Sequence, residues 1–70
     1  MKSNRIPRQF YRIIVECNIE TNLTKSGDIL HIYRNDCGLL ALNTRTGKYS
    51  YIFMAMIRNP EIIKIIDIIQ

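Results

Sequence analysis

Short segments in which apolar and polar residues alternate, each closed by turn residues, predict strands rather than long helices. In residues 10–19, rich in Ile and Val, the positions Val15, Cys17 and Ile19 alternate with Glu16, Asn18 and Glu20. This is a strand with one wet face. Residues 21–27 are polar and end in the turn pair Ser26-Gly27. Residues 28–34, Asp-Ile-Leu-His-Ile-Tyr-Arg, predict a second strand, residues 35–38 a break, and residues 39–43 a short apolar third strand. Thr44-Arg45-Thr46-Gly47 has the length of a hairpin loop whose last residue takes a positive φ. Residues 48–57 predict the longest strand, with Tyr49, Tyr51 and Phe53 on one face and Ile52, Met54 and Met56 on the other. Neither face suits bare exposure to water.

The last segment supports two readings. Asn59 could cap a helix opened by Pro60, and Ile62, Ile65, Ile66 and Ile69 would then share one stripe. Against a helix, six of the ten residues 61–70 are isoleucine, a β-branched side chain that loses rotamer freedom in helices and fits pleated sheets. Local pattern leaves both open.

Five short strands in 70 residues leave few arrangements, and the economical one is a strongly bent antiparallel sheet curling into a small barrel. Such a chain hides only about 60% of the surface its unfolded form exposes, so the core is thin and a partner subunit can be part of the fold. No apolar run reaches the roughly 18 residues of a membrane span, and no signal-peptide core follows the basic N-terminus. The expectation is a soluble intracellular protein, in the cytoplasm or nucleus if the source is eukaryotic.

The net charge of +4 lies wholly in Lys2, Arg5, Arg8 and Arg12, since the remaining charges balance. Residues 1–9 therefore form a basic N-terminal arm and residues 10–70 the barrel domain. The arm either adds salt-sensitive phosphate affinity or merely keeps the domain solvated. Cys17, Cys37 and His31 are too few and wrongly spaced for a zinc site. The cysteines are expected to be reduced and at least partly buried, and His31 to be structural. Without a phosphate loop, an activated nucleophile or framed carboxylates, the expectation is no enzyme, no cofactor, no metal and no small-molecule substrate.

The order of residues resembles the Sm and Sm-like family. Ile57-Arg58-Asn59-Pro60-Glu61-Ile62-Ile63-Lys64-Ile65 follows the cadence of the family's second motif, and Gly27, Asp36 and residues 39–42 can be placed on its first. The resemblance covers about residues 10–66. It implies that the tail is a fifth strand and that a short helix, which Pro7 could open, precedes the first. Arg58 matches the family's nucleotide-contacting arginine, but Asn59 stands in place of the glycine beside it, and Leu39 and Leu40 fall where a stacking residue and a base-reading asparagine are usual. Leucine offers neither an aromatic face nor a donor–acceptor pair. The departures resemble the Sm-like Gemin subunits of the SMN complex, which implies a scaffold in snRNP assembly.

A small barrel leaves its fourth and fifth strands as edges, and uncharged edges invite pairing. The first expectation is thus a non-enzymatic Sm-like subunit that pairs by strand addition with other Sm-fold proteins in a homo- or hetero-oligomer, its interface drawn from Tyr49, Tyr51, Phe53, Met54, Met56, Ile63 and Ile65. The alternative is a direct single-stranded RNA binder using Tyr33, Arg34, Arg58 and Asn59 with the basic arm. A small viral or phage protein that inhibits a host factor is a third reading.

Overall fold

The computed structural model describes residues 3–70; Lys2, the first charge of the basic run, lies outside them. Five antiparallel strands form one sheet: β1 (Arg12–Cys17), β2 (Asp28–Asn35), β3 (Gly38–Asn43), β4 (Tyr49–Ile52) and β5 (Ile63–Ile69). Their order across the sheet is β4-β3-β2-β1-β5. The one short helix, α1 (Met54–Arg58), lies between β4 and β5, and residues 3–11 hold no helix. The helix expected before the first strand is therefore absent among the described residues.

Strict alternation builds the core. Ile13, Val15 and Cys17 of β1, Leu30 and Ile32 of β2, Leu39 and Ala41 of β3, Ile52 of β4 and Ile63 of β5 are all buried on one face of the sheet. The register confirms it, since Ile13 pairs with Ile32 and Val15 with Leu30, and Ile32 in turn pairs with Ala41. Ile57 of α1, fully buried, packs onto the same cluster with Met54 and Met56 beside it. Ile6 and Phe10 cover it from the N-terminal side.

The sheet does not close into a barrel, because the long fourth strand ends early. β4 stops at Ile52, and residues 54–58 turn into the helix. Met, Ala and Arg favour helix, and the turn carries Met54 and Ile57 to the core side. The helix ends where Pro60 biases the preceding residue toward extended backbone, and Asn59 has φ −85° and ψ 107°. The chain crosses from β4 to β5 through this helix, and the two strands remain opposite edges of the sheet.

The tail is a strand, as the resemblance implies, and Asn59 opens no helix there but closes α1 as its C-cap. Its side-chain Oδ1 accepts from the Glu61 N–H at 3.0 Å, and its carbonyl accepts from Ile63 N–H at 3.0 Å, forming the turn into β5. One bulge interrupts β5: Ile14 pairs with Asp67 and Val15 with Ile65, leaving Ile66 unpaired. The hairpin after β3 follows expectation, with Gly47 at φ +73° and its N–H on the Asn43 carbonyl at 2.8 Å.

Candidate functional site

Two edges and an N-terminal strap define the surfaces on which the chain could act. At β4, the bond from Asn43 N–H to the Lys48 carbonyl (2.9 Å) sets the phase of the ladder. Antiparallel bonds recur at every second residue, so Ser50 and Ile52, opposite Ala41 and Leu39, carry the next ones. The main-chain groups of Tyr49 and Tyr51 consequently face the open side. No charge, proline or bulge protects these four residues, and both tyrosine rings are exposed, Tyr51 at 63%.

The other edge is guarded. The Ile63 N–H is spent on Asn59, and its carbonyl accepts from Asn4 Nδ2 at 2.9 Å. Farther along, Lys64, the bulge at Ile66 and Asp67 interrupt a flat template. The expected interface residues thus separate. Tyr49, Tyr51 and Phe53 are exposed, whereas Met54, Met56 and Ile65 pack partly against the core and Ile63 is fully buried within it. Met54 and Met56 sit on α1 rather than on an edge strand.

Below the β4 edge, Cys17, Leu30, Ala41, Ile52 and Met56 line a small cavity of about 110 Å³ whose walls are mainly apolar. Cys17 is buried there, with Sγ 3.9 Å from the Ile19 carbonyl. Cys37 instead lies exposed in the turn between β2 and β3, contrary to the expectation of burial. Both are free thiols. His31 is half-buried on the outer face of the sheet, paired with Leu42 on one side and Ile14 on the other.

The residues expected to contact RNA fall into two pairs. Tyr33 and Arg34 stand at the end of β2, where Arg34 Nη1 donates to the Arg8 carbonyl at 2.6 Å and its guanidinium lies 4.8 Å from the Phe10 ring centre. Arg58 and Asn59 close α1, and Arg58 borders a shallow depression with Ser3, Asn4, Arg5 and Ile6. Among the described residues no hydrogen bond or ring contact joins one pair to the other directly. Asn59 spends its side-chain oxygen on the Glu61 N–H in the turn. Leu39, placed at the pocket by the resemblance, is buried in the core.

The strap from Asn4 to Tyr11 links the two pairs, and sequence reading missed it. Asn4 Nδ2 donates to the carbonyls of Ile57 (2.8 Å) and Ile63 (2.9 Å), and its N–H to that of Arg58 (2.8 Å). These include helix C-terminal carbonyls that the helix itself cannot satisfy. At the far end the Tyr11 N–H meets the Ile69 carbonyl at 2.7 Å. The only forewarning in the sequence is Ile6 and Phe10 as apolar points within a basic run.

Away from these surfaces, one polar cluster is structural. Asp28, buried, accepts from Arg45 Nε at 2.6 Å and Nη2 at 3.0 Å, from Asn43 Nδ2 at 2.8 Å and from the Lys25 N–H at 2.8 Å. These donors, Arg45 foremost, hold its carboxyl well below the usual carboxylate range, against a smaller opposing effect of desolvation. Arg45 is correspondingly raised, chiefly by its bond to Asp28. The cluster locks the β3–β4 hairpin to the start of β2.

Among the described residues, no three His, Cys, Asp or Glu side chains gather as a metal site, and no helix is long and apolar enough to cross a membrane. No family model matches the chain, and neither a curated protein nor a solved structure matches it.

Proposed function

We propose that the protein is a non-enzymatic, Sm-like subunit that pairs through its β4 edge with another Sm-fold chain, as a scaffold in ribonucleoprotein assembly. One observation carries the reading: Tyr49 and Tyr51 turn their main-chain groups to a short edge that has no charge, proline or bulge, while the opposite edge is guarded by Asn4, a bulge and two charges. An added strand would satisfy those groups, and the exposed rings of Tyr49, Tyr51 and Phe53 would supply contact area. The five-stranded sheet with its tail as the last strand supports the Sm-like part, as does the cadence of residues 57–65.

The test is assembly state. Size-exclusion chromatography with light scattering should find the purified chain in oligomers or joined to a copurifying Sm-fold protein. Tyr51→Lys, at an exposed edge position, should dissociate the assembly while leaving the circular dichroism spectrum unchanged. A monodisperse monomer that captures no Sm-fold partner from its native host would refute the proposal.

A further inference from the structure

One face of the sheet is covered and the other is bare. Ile6, Phe10, Ile19 and the methionines of α1 pack on the core face, and α1 is the only helix among the described residues. An antiparallel sheet with one face in water ordinarily carries polar side chains there. Here the register assembles a largely apolar face. One row crosses all five strands as Asp67, Ile14, His31, Leu42 and Tyr49. Beside it on one side Tyr33 pairs with Leu40, and on the other Ile29 lies opposite Glu16. Neighbouring strands only half-bury these aliphatic side chains.

The molecule measures 30 × 29 × 19 Å, a slab made of a sheet layer and a helix layer. Its broad face is about the size of a standard interface, roughly 800 Å² per partner. A second sheet, flat and apolar on its inner face, matches that shape.

Charge selects which sheet. The charged groups on this face are Arg12, Glu16, Lys64 and Asp67, all on β1 and β5. Arg12 and Glu16 lie on the same side of β1, about 13 Å apart at the usual strand rise, too far to pair with each other. Neither forms an ion pair among the described residues, where Arg45–Asp28 is the one salt bridge, and Arg12 Nε, shielded from solvent, lacks any acceptor. Turning a second copy over about an axis along the row of Ile14, His31 and Leu42 lays each Arg12 over the Glu16 of the other copy. Ile14 then meets Ile14 and Leu42 meets Leu42. His31 falls on the axis, where a neutral imidazole both donates and accepts. Lys64 and Asp67 lie on the edge strand, where the angle of about 30° between packed sheets splays the copies apart.

We propose that this outer face of the sheet binds the same face of a second copy, forming a two-fold β-sandwich closed by two Arg12–Glu16 pairs between the copies. The contact uses side chains of the face and does not rest on strand addition at β4, which would extend the pair into larger assemblies. Tyr51 falls past the end of the shared patch, over the hairpin loop of the second copy.

The experiment is analytical ultracentrifugation of the full chain carrying Tyr51→Lys, which removes pairing at β4, near neutral pH and about 150 mM salt. Two copies per particle are expected, and adding Leu42→Glu should reduce them to one without changing the circular dichroism spectrum. Like charges brought together across an interface oppose association, so Arg12→Glu alone and Glu16→Arg alone should each weaken the pair by at least about tenfold. An equimolar mixture of those two chains should restore it to within about threefold, because every facing pair is again opposite in sign. Asp36→Lys, which shifts the net charge as much as Glu16→Arg but from an exposed turn outside the face, should leave the pair unchanged. A monomer in the Tyr51→Lys chain would overturn the proposal while leaving assembly of the parent chain through β4 as it stands. Dimers that survive Leu42→Glu, or a mixture that associates no more tightly than its components, would overturn it as well.

Discussion

Asp28 shows how a single residue acquires a role that its place in the sequence does not announce. It opens a strand, where an acid is unremarkable, yet the fold buries it among donors from Lys25, Asn43 and Arg45. Its carboxyl titrates below the ordinary value of about 3.9 that it regains on unfolding. A depressed folded value contributes stability that is present above the unfolded value and lost as pH falls toward the folded one. The melting temperature should therefore hold from neutrality to about pH 4 as far as this group is concerned, then decline on further acidification. Asp28→Asn should be less stable at neutral pH and should lack Asp28's share of that acid-dependent decline. A melting series in both proteins checks this, and parallel curves below pH 4 would count against it. The two cysteines illustrate the same limit of sequence reading. Cys17 follows the alternation of its strand into the core, whereas Cys37 sits in a tight turn where neighbouring leucines give no guide to burial.

At the scale of elements, alternation was a sound guide wherever a strand had neighbours on both sides. β1, β2 and β3 lie within a residue or two of the hydrophobic pattern at most boundaries, and glycines at 27, 38 and 47 mark the turns with positive φ. The pattern misled at residues 53–58. There Ile52, Met54 and Met56 satisfy a period of two, while Met54 and Ile57 equally satisfy a helical turn. Only tertiary packing decides between them, because Ile57 reaches the core solely from the helix. The tail posed the converse problem: its helical stripe was real, but β1 offered a ladder along its whole length. The helix has a measurable consequence. Ile57→Ala should cost about 2–5 kcal/mol, the usual range for truncating a buried isoleucine. That is comparable with the few kcal/mol a core of this size supplies, so the variant should be largely unfolded by circular dichroism at room temperature. A cooperative melt within a few degrees of the parent would show that α1 contributes little to the core.

For the whole molecule, the decisive contacts join residues more than fifty positions apart, and no local pattern carries them. Asn4 reaches Ile57 and Ile63, with separations of 53 and 59 residues, closing the helix end and one sheet edge together. The arm of residues 1–9, left by the sequence between a phosphate-binding and a solvated role, packs Ile6 against the core, and Phe10 just beyond it does the same. This position also decides which edge is open. With the Asn4 side chain in place, β5 presents an occupied carbonyl at Ile63; without it, that carbonyl and the Ile57 carbonyl of α1 lose a donor, while the Asn4 N–H still serves Arg58. Asn4→Ala should lower stability by about 1–3 kcal/mol, the cost of stranding partly buried acceptors. Denaturant titration measures that loss. A second effect separates the edge from simple destabilisation: the variant should self-associate through β5, so its oligomers should persist when Tyr51→Lys is added. If Tyr51→Lys abolishes association equally in the presence and absence of Asn4, then Asn4 caps the helix but does not guard the edge, and the asymmetry between the two edges has another source.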